Sequence, residues 1–208
     1  MDFGIQTIFT FLVLYFSVVI HELAHAYVAY SMGDNTARNM GRLTINPLAH
    51  IDLFGTILLP LSMILANIRP VFGFAKPVPI NPYKFNDQNW GLFKVALAGP
   101  LSNLSLALIF GLVLRFLPIN SPYAANFAAM INLIVIINIG LFSFNILPIP
   151  PLDGSDIFGQ WLPFLRRVKH TMNFYMQFVL LWFVLYVAGD YVYYFAMFLY
   201  KLITGISF

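Results

Sequence analysis

The sequence contains no cysteine, which removes disulfides, thiolate metal sites and cysteine nucleophiles together. Charge is almost as scarce. Asp, Glu, Lys and Arg make up 9% of the 208 residues, against roughly 25% in a soluble domain, so a water-soluble globule, a disordered tail and a coiled coil are all excluded. Acid is scarcest of all, with Glu22 the sole glutamate. The formal charge of +3 does not point to nucleic acid in such a chain, and no nucleic-acid partner is expected. It reflects basic residues held in cytoplasmic loops.

What is abundant is apolar. Hydrophobic residues make up 60% and aromatic residues 17% of the chain, and the mean hydropathy is +0.81. Such a chain belongs in a lipid bilayer. Four stretches, roughly 4–32, 92–117, 125–147 and 171–189, are long enough to cross as helices. The first twenty residues lack a basic leader region and a small-residue cleavage site, so they are expected to stay as the first span. Two shorter stretches, 53–68 with Pro60 and 191–206 with Asp190 just before it, could cross or re-enter. Segments 41–47 and 71–82 mix β-formers with Gly and Pro, as short strands and turns do. The expected fold is therefore an all-α polytopic bundle of five or six transmembrane or re-entrant helices with short membrane-associated β segments. A single domain over 1–208 fills the length.

Nine basic residues fall in two blocks: Arg38, Arg42, Arg69, Lys76, Lys84 and Lys94, then Arg166, Arg167 and Lys169. The positive-inside rule puts both blocks in the cytoplasm. That holds if 53–68 enters and leaves on one side, and this is the expected topology.

Within the first stretch lies His21-Glu22-Leu23-Ala24-His25. Residues four apart share a helix face, so both imidazoles can hold one metal ion, and Glu22 beside them can take a proton from a water the metal activates. An intramembrane carboxylate costs at least ~2.5 kcal/mol. A metal ion would compensate it.

A hydrolytic zinc site needs a third protein ligand and one open position. A second glutamate does not exist, and Val28 and Ser31 stand where a third histidine motif would need Gly and His. His50, His170 and the seven aspartates remain. Asp153 is the best placed, in the Pro-rich, Gly-flanked turn LPIPPLDG, where irregular backbone can bring a carboxylate to membrane depth.

The ordered motifs HELAHA (21–26), GDNTARNMGRLTINPLAHIDLFGT (33–56), GFAKPVPINP (73–82), ALAGPLSN (96–103) and FNILPIPPLDGSDI (144–157) resemble the site-2 proteases, intramembrane zinc metalloproteases. The resemblance covers about 17–159 and is to the compact prokaryotic branch without PDZ or CBS domains. It implies one zinc ion held by His21, His25 and Asp153, with Glu22 as catalytic base. Asn103 and Asn145 match asparagines near the active site, where an amide could bind substrate backbone or a developing oxyanion. His50 and Asp52 also match, and could orient the β segment. The C-terminal helices of about 171–206 match nothing diagnostic.

The implied activity is endoproteolysis within or near transmembrane segments of single-span membrane proteins, in a prokaryotic plasma membrane, with the site toward the cytoplasmic half. An unwound substrate would need backbone partners, and strand addition along 41–47 or 71–80 could supply them. The alternatives are a metal-binding transporter or channel, in which a catalytic base has no use, and an inactive relative that binds clients without cutting.

Overall fold

The computed structural model describes residues 3–58, 62, 65–66, 76–118 and 121–206. Among the described residues seven α-helices follow one another: α1 Phe3–Ser31, α2 Thr36–Asn39, α3 Gly91–Phe116, α4 Pro122–Asn145, α5 Gly154–Phe158, α6 Pro163–Thr171 and α7 Phe174–Thr204. The four long apolar stretches fall largely in α1, α3, α4 and α7, and among the described residues these four are the helices long and apolar enough to cross a membrane. The protein is a multi-pass integral membrane protein.

Helix α3 is central, packing on α1, α4, α5 and α7. An apolar cluster of Ala107, Leu114, Ala128, Ile131, Val135, Ile139, Tyr200 and Ile203 joins α3, α4 and α7, and Tyr200 adds a hydrogen bond to Asn132 Oδ1 at 2.6 Å. Large apolar side chains such as Ile8, Leu12, Ile109, Phe116 and Trp182 point outward. The polar side chains Ser17, His21, His25, Asn103 and Asn138 are buried inside. In hydrocarbon this inversion is the favourable arrangement, because lipid satisfies apolar surface and only the bundle interior offers hydrogen-bond partners.

The helix ends follow their sequences. Ser121 Oγ accepts from Ala124 N–H ahead of Pro122 at the start of α4. Asn173 Oδ1 accepts from Met176 N–H at the start of α7, and Gly205, at φ 75°, ends it.

Three parts of the expected fold require correction. The count of five or six spans falls to four among the described residues. The stretches 171–189 and 191–206 are joined by one continuous helix, α7, which runs from Phe174 through Asp190 to Thr204. And no strand occurs among the described residues.

The third correction has a physical cause. In 41–47 the backbone turns on itself: Thr44 Oγ1 accepts from Asn46 N–H, Asn46 Oδ1 from Leu48 N–H, and His50 Nε2 donates to the Thr44 carbonyl. In 76–81 the chain is extended but unladdered. Pro77 and Pro79 carry no N–H, the Lys76 N–H bonds the His50 carbonyl, and side chains take the Val78 and Asn81 N–H groups. Residues 71–75 lie outside the described residues, as does most of 59–75. Leu53–Leu58 forms a short π-helical turn, so whether 53–68 crosses or re-enters falls outside what is described.

Candidate metal centre

His21 and His25 lie one turn apart on α1, their rings edge to face with centroids 4.6 Å apart. Asp153 approaches from the turn between α4 and α5. That turn is tight: Leu152 N–H bonds the Ile149 carbonyl, and Ser155 donates both its N–H and its hydroxyl to the Leu152 carbonyl. Gly154 is required there, because a Cβ would strike the backbone carbonyls of Ile146 and Leu147. Ile149 and Leu152 pack with Leu181 of α7 and hold the turn from behind.

The result is a cluster of three ligating atoms. His21 Nε2 is 3.0 Å from Asp153 Oδ2, His25 Nε2 is 3.3 Å from the same oxygen, and the two Nε2 atoms are 3.0 Å apart. Both histidines are buried and Asp153 is partly exposed. Tetrahedral coordination with bonds of ~2.0–2.1 Å places ligands about 3.3 Å from one another, which this triangle matches.

The hydrogen bonds behind the cluster decide its chemistry. His25 Nδ1 lies 2.6 Å from the Val95 carbonyl, an acceptor only, so Nδ1 carries the proton. His21 Nδ1 lies 2.6 Å from Asn103 Oδ1. The orientation of that amide is set on its other side, where Asn103 Nδ2 donates to Asn138 Oδ1 at 3.0 Å and to the Ser17 carbonyl at 3.3 Å. With both Nδ1 atoms donating outward, two bare Nε2 lone pairs and a carboxylate oxygen face one another. Such a set of acceptors is repulsive alone and is reconciled by a cation at its centre. Gly99 of α3 leaves the space open, since a Cβ there would press against Nε2 of both rings. His21, His25 and Asp153 thus form a group able to hold a metal ion.

Glu22 is placed differently. Its Oε2 accepts the Val78 N–H at 2.8 Å, which ties it to the extended 76–81 segment. Asn145 Nδ2 donates to the Leu141 carbonyl at 3.0 Å within α4. His50 is fully buried and accepts Lys76 N–H at its carbonyl. Asp52 Oδ1 accepts Gly55 N–H at 2.7 Å and so caps the turn at 53–58. His170 lies near the end of α6, exposed, and is not part of the cluster. A cavity of about 650 Å³ lined by Ile20, Leu23, Tyr27, Ile45, Leu101 and Ser105 among others contains none of the cluster residues.

Sequence reasoning missed Asn138 and Ser17, the far end of the network behind His21. Asn138 Nδ2 donates to Ser17 Oγ at 3.0 Å and Asn138 has no exposed surface. The available signal was an asparagine in the middle of an apolar helix, which lipid does not tolerate unpaired.

Taken together, a transmembrane bundle with a His-His-carboxylate cluster and a glutamate beside it defines a membrane-embedded metallohydrolase. The comparisons with known proteins agree. Residues 9–123 match Peptidase family M50. YwhC of Bacillus subtilis (strain 168), which bears a zinc-metalloprotease name, is 42% identical over 160 residues, covering 74% of this chain and 69% of the relative. Rip2 of Mycolicibacterium smegmatis, named in the same way, is 32% identical over 139 residues, covering 66% of this chain and 51% of that protein. No solved structure is a significant match. The chain belongs to Peptidase family M50 and is a zinc-dependent intramembrane endopeptidase.

Proposed function

We propose that His21, His25 and Asp153 hold one zinc ion per chain, that Glu22 is the catalytic base, and that the substrates are single-span membrane proteins cut within or near their membrane segment. The observation that carries the ligand assignment is the convergence of three acceptor atoms at 3.0–3.3 Å with both histidine Nδ1 protons directed away. Zinc bound there would polarise the scissile carbonyl and acidify water near neutral pH.

The protein residues do the rest. Glu22 Oε2 is occupied by the Val78 N–H, so Oε1 receives the proton of the attacking water and returns it to the leaving amine. Asn103 holds His21 in the tautomer that presents Nε2 as a ligand, and Val95 does the same for His25. Asn145, near the start of the turn that carries Asp153, is the remaining candidate for contact with substrate or oxyanion, by release of its amide from Leu141.

The whole chain acts as one catalytic domain in a prokaryotic plasma membrane, with the site toward the cytoplasmic half. The charge distribution supports this orientation, since Arg166, Arg167 and Lys169 of α6 follow the Asp153 turn closely.

The test is cleavage of a synthetic transmembrane substrate by purified protein, with zinc measured alongside. Glu22→Gln should keep about one zinc and lose cleavage, and Asp153→Ala should lose zinc. Zinc binding unchanged in Asp153→Ala would overturn the ligand set, and cleavage unchanged in Glu22→Gln would overturn the base.

A further inference from the structure

Segment 71–80 reads in sequence as an edge for substrate pairing, yet in its described part the Val78 N–H and the Lys76 and Pro77 carbonyls are already committed. Between Pro77 and Pro79 the one backbone N–H belongs to Val78, and it donates to Glu22 Oε2 at 2.8 Å. The two carbonyls just before Val78 are held from another side. Arg42 Nη2 donates to the Lys76 carbonyl at 2.7 Å and to that of Pro77 at 3.4 Å. Lys76 N–H bonds the His50 carbonyl at 3.0 Å, and Asn81 N–H bonds Asp34 Oδ2 at 2.7 Å. The Val78 side chain is buried against Ala26 and Ala37, with Leu43 alongside.

Arg42 is unusual in this setting. Its residue surface is only 7% exposed, it forms no ion pair among the described residues, and its Nε has no hydrogen-bond partner. Burying a guanidinium without a counter-charge is strongly unfavourable. Two backbone carbonyls are weak compensation for that cost. Their location is what distinguishes them: they lie one and two residues before the N–H that fixes the acid next to the metal cluster.

We propose that Arg42 is a positioning residue for Glu22, acting through the 76–81 segment: the guanidinium clamps the Lys76 and Pro77 carbonyls so that the Val78 N–H holds the carboxylate in its working place. The inference rests on Glu22 being the base. It also removes residues 77–79 from the surface open to strand addition, since no N–H there is free to pair with a substrate.

The experiment uses the full-length protein in lipid nanodiscs, with zinc content, kcat and KM on a synthetic transmembrane substrate, and hydrogen exchange at the Val78 amide. Arg42→Gln and Val78→Pro are expected to lower kcat about ten- to a hundred-fold, the scale of misplacing a catalytic group by about 1 Å. KM should stay within about two-fold and zinc near one per chain. Arg42→Lys, which keeps a cationic donor, should recover most of kcat. A kcat near wild type in both variants overturns the inference, and so does a fall in kcat matched by loss of zinc and of thermal stability.

Exchange supplies a reading that needs no folded Arg42 variant. The Val78 amide should be protected in the native protein and released in Glu22→Ala; an unprotected Val78 amide in the native protein also overturns the inference. Failure of the base assignment looks different, because Glu22→Gln would then still cleave. An inactive Glu22→Gln beside a fully active Arg42→Gln refutes the positioning role alone.

Discussion

His21 Nδ1 lies 2.6 Å from Asn103 Oδ1, and the Asn103 amide is in turn anchored on Asn138 and the Ser17 carbonyl. This chain runs through three helices with Asn103 and Asn138 fully buried. Its arrangement resembles that of the carboxylate that orients a metal-bound histidine in soluble enzymes, with a neutral amide in place of a charge that lipid would penalise.

Loss of that amide should be read in the metal. Asn103→Leu frees the His21 ring to change tautomer, and zinc affinity is expected to fall about ten- to a hundred-fold. Asn138→Leu, one bond further out, should cost less. Competition against a chelator of known affinity measures both, and equal affinity in Asn103→Leu and native protein would contradict the role.

Gly99 is expected to tolerate no side chain. In Gly99→Ala the new Cβ lies against Nε2 of His21 and His25, so zinc content and cleavage should both drop sharply. Circular dichroism should show the helices retained, because α3 gains helix propensity from the change.

Chelation should separate the metal from the fold. Removal of zinc is expected to abolish cleavage reversibly, and Asp153→Ala should not be restored by zinc at levels that restore the native enzyme. Four transmembrane-length helices and the apolar cluster on Ala107, Val135 and Ile139 do not depend on the cluster, so α-helical content should persist.

Asp34, outside the membrane-spanning segments, is expected to contribute to acid stability. Burial by itself would raise its pKa, but the Asn81 N–H, the Thr36 hydroxyl and N–H, and the nearby Lys84 hold it below the usual carboxylate value. A group with a depressed native pKa stabilises the fold above its unfolded pKa of about 3.9 and loses that contribution as pH falls toward the native value. The melting temperature of the native protein should therefore decline more steeply below about pH 4 than that of Asp34→Asn. Asp34→Asn should itself be less stable at pH 7, by about 1–3 kcal/mol for a lost buried hydrogen-bond set. Parallel slopes in the two proteins would show that Asp34 does not contribute.

Much of the site was legible in the residues. The spacing of His21 and His25 needs only a helix to bring them together, and Glu22 stands out as the only glutamate in an apolar stretch. Asp153 was legible because proline and glycine around it exclude a continuing helix. The strands expected at 41–47 and over the described part of 71–82, residues 76–82, were misjudged. β-propensity describes a side chain's fit to a pleated surface, while pairing depends on whether backbone groups are free, and here Arg42, His50 and Glu22 had already claimed those of 76–78. The C-terminal stretches show a related limit: Asp190 interrupts an apolar run without interrupting the helix, since a carboxylate costs solvation rather than backbone geometry.

Composition and spacing alone determined that this chain lives in lipid and that two histidines share one helix face, because hydrophobicity and helical period are local properties. Only the folded bundle decided how far Asp153 stands from them, which amide fixes His21, and which backbone N–H steadies Glu22. Those contacts join residues as many as 132 positions apart, and nothing local in a sequence carries the distance between groups so remote along it.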